Sequence, residues 1–384
     1  MMHASVALVG TFPPTECGLA TFTRSSATAI SEGRRVGVVE LADAPRGGVL
    51  SAMVCATLVR GDRQSLRAAV KTLEGFDAVV IQHEFGIFGG PDGDEVLDLV
   101  EALDTAVIVV FHTILEEPSE HQRFVIEELA RKADAVVTLS ETARLRLLRS
   151  ASVDPDKVIV IPHGAHEVAS ADERRGRPLR RQVVLTWGLL GPGKGIEHAI
   201  DAIAQLSDMV NPPEYWVVGQ THPKIRARDG EAYRQSLIDR AEAAGCADRV
   251  KFFDGYRDLQ SLHRLIAQAD VVALPYDSRE QVTSGVLVEA IAAGLPVVAT
   301  GFPHAREMLA TGSGLVVAHE DPRDLANALR RILTDDGLRA QFARSARKTA
   351  PSLLWPAVGR SFGQLIDRCV AARARSHDPL GMSA

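Results

Sequence analysis

Cysteine is scarce in this chain, with four among 384 residues, at Cys17, Cys55, Cys246 and Cys369. Their scatter has neither metal-like nor redox-like spacing. That argues against a disulfide framework and reads as reduced thiols in a cytoplasmic protein. Long apolar runs are also missing, so no segment is suited to span a bilayer. The start, Met-Met-His-Ala-Ser-Val-Ala-Leu-Val-Gly, has no basic leader and its apolar run stops at Gly10. It reads as a first buried strand rather than a signal peptide. Positive charge is not in excess: the net charge is −6, which argues against nucleic acid as a dominant partner.

What is present is the balance of a globular protein, 46% apolar and 24% charged. The length exceeds one ordinary core and implies two domains. Short apolar runs alternate with helical stretches. Ser5–Val9, Val36–Leu41, Ala78–Ile81, Ala106–Phe111, Ala135–Leu139 and Val158–Ile161 are expected strands of a first half. Val183–Trp187, Tyr215–Val218, Val250–Phe253, Val271–Leu274, Pro296–Ala299 and Gly314–Val317 are those of a second. Buried strands separated by helices indicate parallel sheets covered on both faces. The expected fold class is therefore α/β, with two doubly wound Rossmann-like domains. The basic, Gly/Pro-bearing stretch from Pro162 to Arg181 reads as the hinge between them. The expected domains are residues 1–168, residues 169–350, and a C-terminal helix in 351–384 that returns to the first domain and ends in a disordered tail from about Ser376.

In parallel sheets of this kind ligands sit at the carboxyl ends of strands. The first strand leads into a stiff loop and then Gly18, at the start of a helix, where a ligand can approach the backbone. Two imidazoles leave successive strands at that edge: His83, followed by Glu84 and a Gly-rich loop, and His112. Each alone is compatible with a structural role; together they indicate a site. In the second half a strand leads into Gly188-Leu189-Leu190-Gly191-Pro192-Gly193-Lys194-Gly195. This nearly fits a Walker A loop, but Gly195 stands where Ser or Thr would ligate Mg²⁺. A Gly-rich backbone with one lysine still suits a diphosphate without an obligatory metal. Farther on, Thr283 and Ser284 are good N-cap residues for a helix that begins at Gly285 and ends at Gly294. Its only charge is Glu289, about one and a half turns in. The helix start offers N–H groups to an anion, and the carboxylate could accept from a ribose diol. A core helix whose Glu pairs with a neighbouring Arg is the bland alternative.

These residues carry a resemblance. The Gly188 to Lys194-Gly195 loop, the Gln281 to Glu289 element, Phe253-Asp254-Gly255-Tyr256, Ala269 to Pro275, and Pro303 to Glu307 resemble the two-domain GT-B glycosyltransferases, specifically the retaining family four. Residues 17–23 and 82–90 resemble a mannosyltransferase-like branch of it. The chain departs from the family pattern at Leu189, where an Arg is usual, at Gln281, where a Glu is usual, and at Val282-Thr283-Ser284, where Gly-Phe-Gly is usual. The resemblance implies an interdomain cleft and a nucleotide-sugar donor held by Gly193, Lys194, Thr283, Ser284, Gly285 and Glu289. Tyr256 would lie near the base, Gly18 near the phosphates and His112 beside the donor sugar; His83 and Glu84 would line the acceptor side. Catalysis would rest on His112 and Lys194, with the leaving phosphate helping to deprotonate the acceptor.

The expected activity is transfer of a hexose, with mannose from GDP-mannose as first choice, to an acceptor hydroxyl, without a cofactor or obligatory metal. The acceptor is a saccharide, a lipid-linked molecule or a small molecule. The alternatives are transfer from a UDP-sugar, an epimerase or phosphorylase of the same fold, and a catalytically weak nucleotide-sugar-binding protein. A membrane-surface contact could come from Arg144, Arg146 and Arg149 with Leu145, Leu147 and Leu148, although a charged helix face explains the same pattern.

Overall fold

The computed structural model describes residues 3–45, 51–168 and 181–377. Most of the expected basic hinge and the end of the expected tail lie outside these residues. Ser376 and His377 still belong to the C-terminal helix Trp355–His377. The chain divides into two compact units, residues 1–164 with 355–384, and residues 165–354.

The first unit holds seven parallel strands: β1 (Val6–Gly10), β2 (Val36–Ala42), β3 (Val54–Val59), β4 (Ala78–His83), β5 (Ala106–Phe111), β6 (Ala135–Thr138) and β7 (Val158–Val160). Their order is β3-β2-β1-β4-β5-β6-β7. Every residue of β1, β4 and β5 is buried, as continuous Val/Ile runs covered on both faces require. β3 is an addition to the expected strands. It is a half-exposed edge strand interrupted by Cys55 and Thr57, so it lacks the apolar run that marked the others. The C-terminal helix closes this unit: Trp355, Val358, Phe362, Leu365 and Ile366 join the core formed by β1, β4 and β5. It comes close to the helix Gly18–Ile30, because a Cβ on Gly359 would meet the Ala29 carbonyl at 2.5 Å. Arg34, almost wholly buried, fixes it with a two-pronged pair to Asp367, both contacts at 3.1 Å.

The second unit holds six parallel strands: β8 (Val183–Trp187), β9 (Glu214–Val218), β10 (Val250–Phe253), β11 (Val271–Leu274), β12 (Val297–Thr300) and β13 (Gly314–Val317). The order is β10-β9-β8-β11-β12-β13. Both sheets reverse direction beside their first strand, between β1 and β4 and between β8 and β11. That switch point is where a doubly wound sheet opens a crevice at the strand ends. Helices on the two faces of the second sheet build two apolar clusters, one around Ile196, Ile200 and Leu329, the other around Leu287, Ile291 and Phe302.

Candidate functional site

In the second unit β8 ends in Trp187 and hands the chain to the loop 188–195. Three glycines here take left-handed backbone, Gly188 (φ +125°), Gly193 (φ +87°) and Gly195 (φ +61°). Gly195 is also required by packing: a Cβ there would overlap the carbonyl of Pro275. A Ser or Thr at this place, and with it a Walker-type metal ligand, does not fit. Gly193 by contrast faces open space, with nothing within 4 Å of where a Cβ would stand. The loop is docked on the end of β11, where the Asp277 N–H donates to the Gly193 carbonyl at 3.1 Å.

Lys194, between these two glycines, has no carboxylate partner among the described residues. Its Nζ lies 4.4 Å from the centre of the Tyr276 ring. Burial pushes its pKa below the usual lysine value. A desolvated ammonium without a counter-ion favours an incoming anion.

The helix Gly285–Ala292 begins at the neighbouring strand end. Ser284 is its N-cap, its hydroxyl accepting from the Leu287 N–H at 3.3 Å. The Ser284 N–H is not available to a ligand, because it donates to His304 Nδ1 at 2.9 Å. Burial drives the His304 pKa down to about 4, so this nitrogen stays an acceptor. The N–H groups of Gly285 and Val286, without acceptors among the described residues, are the free donors of the first turn. The Thr283 hydroxyl is sealed from solvent with no hydrogen-bond partner. Gln281 spends its amide on the turn, donating to the Thr283 carbonyl at 2.9 Å.

Glu289 is not alone, as its isolation in the sequence suggested. The indole N–H of Trp187 donates to its Oε2 at 3.1 Å. Burial raises its pKa to about 7, against the lowering effect of that hydrogen bond. The Tyr276 ring carries Lys194, and burial pushes the Tyr276 hydroxyl pKa up. Tyr256, in the loop after β10, is 45% exposed.

In the first unit, Gly18 opens the helix Gly18–Ile30 behind Cys17, whose Sγ accepts from the Ala20 N–H at 3.3 Å. Gly18 is exposed, and a Cβ on it would meet nothing within 4 Å. His112 follows β5; its Nε2 lies 2.7 Å from Gln82 Oε1 and its ring meets Phe22 edge-on at 4.7 Å. Desolvation, helped by the nearby His163 and His83, holds its pKa at about 3. It is a neutral hydrogen-bonding group at any ordinary pH. Glu84 accepts from the Thr113 hydroxyl.

His83 departs from its expected acceptor role. It is 0% exposed, boxed by Phe85, Phe88 and Phe111, and neither ring nitrogen has a partner. Burial holds its pKa at about 3. An enclosed ring offers a saccharide no contact. The basic helix Glu141–Ser150 is likewise mostly committed internally: Arg144 pairs with Glu141 at 2.8 Å, and buried Arg146 donates to the Ile114 carbonyl at 3.3 Å.

Trp187, Tyr276, His304 and Gln82 were not singled out from the sequence. The available signal was position: Trp187 and Tyr276 stand at strand ends on the two sides of the switch point.

Two parallel doubly wound sheets in succession, each with its polar loops at the carboxyl edge, are the GT-B architecture. Among solved structures this fold matches sucrose-phosphate synthase from Thermosynechococcus elongatus, with a TM-score of 0.76 at 21% identity over 96% of this chain and 100% of that one. It also matches Anabaena Alr3699/HepE in complex with UDP and glucose, with a TM-score of 0.74 at 18% identity over 95% and 100%. Residues 169–349 match the model of the family "Glycosyl transferases group 1". These matches support a GT-B glycosyltransferase of family four. D-inositol 3-phosphate glycosyltransferase of Corynebacterium diphtheriae is 30% identical over 276 residues, covering 68% of this chain and 62% of that one. The Corynebacterium glutamicum protein of the same name is 30% identical over 267 residues, covering 66% and 62%. The chain thus spans about three fifths of the length of these relatives.

Proposed function

We propose that this protein transfers a hexose, with retention, from a nucleotide sugar to an acceptor hydroxyl. The observation that carries the reading is an unpaired ammonium over the Tyr276 ring, on a glycine loop that passes the first turn of the helix carrying Glu289, where a Cβ on Gly188 would lie 3.8 Å from Val286. The leaving nucleoside diphosphate gathers negative charge as the glycosidic bond breaks. Lys194 and the N–H groups of Gly285 and Val286 meet that charge in a desolvated setting, where preorganised donors are most effective. Gly193 lets the phosphates approach the backbone. Glu289 accepts from the ribose hydroxyls, and Tyr256 lies against the base. By the family resemblance Gly18 serves the phosphates, His112 hydrogen-bonds the donor sugar without carrying charge, and Glu84 serves the acceptor.

The reaction needs no divalent metal, since the loop that holds Lys194 has no room for a metal-binding hydroxyl at Gly195; activity that EDTA abolishes and Mg²⁺ restores would overturn this. GDP-mannose remains the first donor on the sequence pattern of residues 82–90. A UDP-sugar is the second reading, favoured by HepE, which is named in complex with UDP and glucose, and an inositol phosphate is the first acceptor to try, from the relatives' names.

The test is nucleotide release from GDP-mannose, UDP-glucose and UDP-N-acetylglucosamine, each with and without inositol phosphate and simple saccharides, followed by mass spectrometry of the product. Acceptor-dependent release with a product heavier by one hexose is expected. Tight donor binding without turnover on any acceptor, or product made from a sugar phosphate, would overturn the reading.

A further inference from the structure

We propose that Tyr276 is the positioning residue of the phosphate site, its ring setting the place of the Lys194 ammonium. The inference rests on the donor-binding reading given above for Lys194.

The geometry begins with the backbone. Tyr276 stands two residues past the end of β11, and both of its neighbours grip the loop that carries Lys194. The Pro275 carbonyl fills the space beside Gly195, and the Asp277 N–H bonds the Gly193 carbonyl at 3.1 Å. The two chain segments therefore run together, and the Lys194 side chain falls across the Tyr276 ring at 4.4 Å. The ring itself cannot shift. It is 2% exposed and stacks on Phe302 at 5.3 Å with 22° between the planes. Its carbonyl is held from two sides, by the Thr300 hydroxyl at 2.6 Å and by His319 Nδ1 at 2.9 Å.

A lysine stem has four rotatable carbons and loses considerable freedom when its head is fixed. Lys194 has no carboxylate among the described residues to fix it, and a carboxylate would compete with the diphosphate. An aromatic face does the same work without that competition. It attracts the ammonium through the ring quadrupole yet leaves its three N–H bonds free to donate to phosphate oxygens. The ring thus keeps the charge in place before the donor arrives.

The test is a double-mutant cycle on nucleotide-release kcat, using Lys194→Ala and replacements of Tyr276 in the full chain. Tyr276→Met fills the space without a π face. Pentafluorophenylalanine at 276 keeps the ring's shape and reverses its quadrupole, so it folds even where Met does not. Each should lower kcat roughly 30-fold, which is about 2 kcal/mol at 1.36 kcal/mol per tenfold. Tyr276→Phe keeps the aromatic face, so it should recover most of that loss. In the Lys194→Ala background the ring replacements should have almost no further effect, because they act through the missing ammonium. A full additional loss in that background, or an unchanged kcat with the fluorinated ring, would overturn the inference. If Lys194→Ala alone left kcat unaltered, the donor-binding reading of Lys194 itself would fall.

Discussion

At the carboxyl edge of the first sheet two imidazoles, His83 and His112, are kept neutral by burial, both with pKa about 3. At the same edge of the second sheet stand a lysine and a carboxyl group whose pKa values are pulled toward neutrality from opposite sides. Desolvation acts in both units, and its consequence depends on what it is applied to. A desolvated imidazole becomes a neutral hydrogen-bonding or purely structural ring. A desolvated ammonium with only an aromatic face beneath it becomes a place for an anion.

The comparison breaks most easily at Lys194. Lys194→Ala should cost roughly 10²–10³-fold in kcat, the usual effect of removing one preorganised donor to a developing anion. Its melting temperature should stay near that of the parent, since the side chain sits on a loop. A normal rate at donor saturation would remove charge stabilisation from the second unit.

Acid should separate the units next. His83 has its folded pKa depressed from 6.5 to about 3, so above pH 6.5 both states are neutral and nothing is lost. As the pH falls, the unfolded chain takes up the proton first, and at pH 4.5 the cost from His83 is about 2.7 kcal/mol. His112 adds to it in the same unit. In the second unit His304 pulls the same way, but Glu289, with its folded pKa raised from 4.5 to about 7, pulls the other way. Hydrogen-exchange protection should therefore fall between pH 7 and 4.5 more in β4 and β5 than in β11 and β12; equal loss in both units would sink the contrast.

Glu289→Gln sharpens the second unit from inside. The raised carboxyl pKa means that stability is full below pH 4.5 and declines as the pH rises through about 7. The amide does not ionise, so at pH 8 the variant should be more stable than the parent by about 3 kcal/mol, seen as a higher melting temperature, while at pH 4.5 the two should nearly coincide. Donor affinity should move the other way and weaken, because the amide is a poorer acceptor for the ribose diol. A variant that gained stability without losing donor affinity would return Glu289 to the core.

The smallest expected effect lies in the first unit. His112→Ala removes a neutral hydrogen bond rather than a charge, and should lower kcat and kcat/KM together by about tenfold with donor Kd little changed. Loss of melting temperature with near-normal kcat would make His112 a partner for Gln82 and Phe22 and nothing more.

Much of this was legible along the chain. The buried strands announced themselves as Val/Ile runs, and Ser284 and Gly294 marked the ends of the helix that carries Glu289. β3 was not legible, because a half-exposed edge strand with Cys55 and Thr57 loses the apolar pattern that two-sided burial imposes. His83 and His112 look equivalent in the sequence, each leaving a strand beside a polar neighbour. One proves to be boxed by Phe85, Phe88 and Phe111 and the other to be hydrogen-bonded to Gln82.

The sequence by itself determined the α/β class, the two successive sheets and the strand-end loops, because those follow from periodicity and turn chemistry among near neighbours in the chain. Only the tertiary structure decided what the loop residues are. Trp187 meets Glu289 across 102 residues, and Lys194 lies over a tyrosine in the loop after another strand. Whether a carboxyl group is ionised near neutrality, or an ammonium has a counter-ion, depends on how much water and which remote groups surround it once the chain has folded.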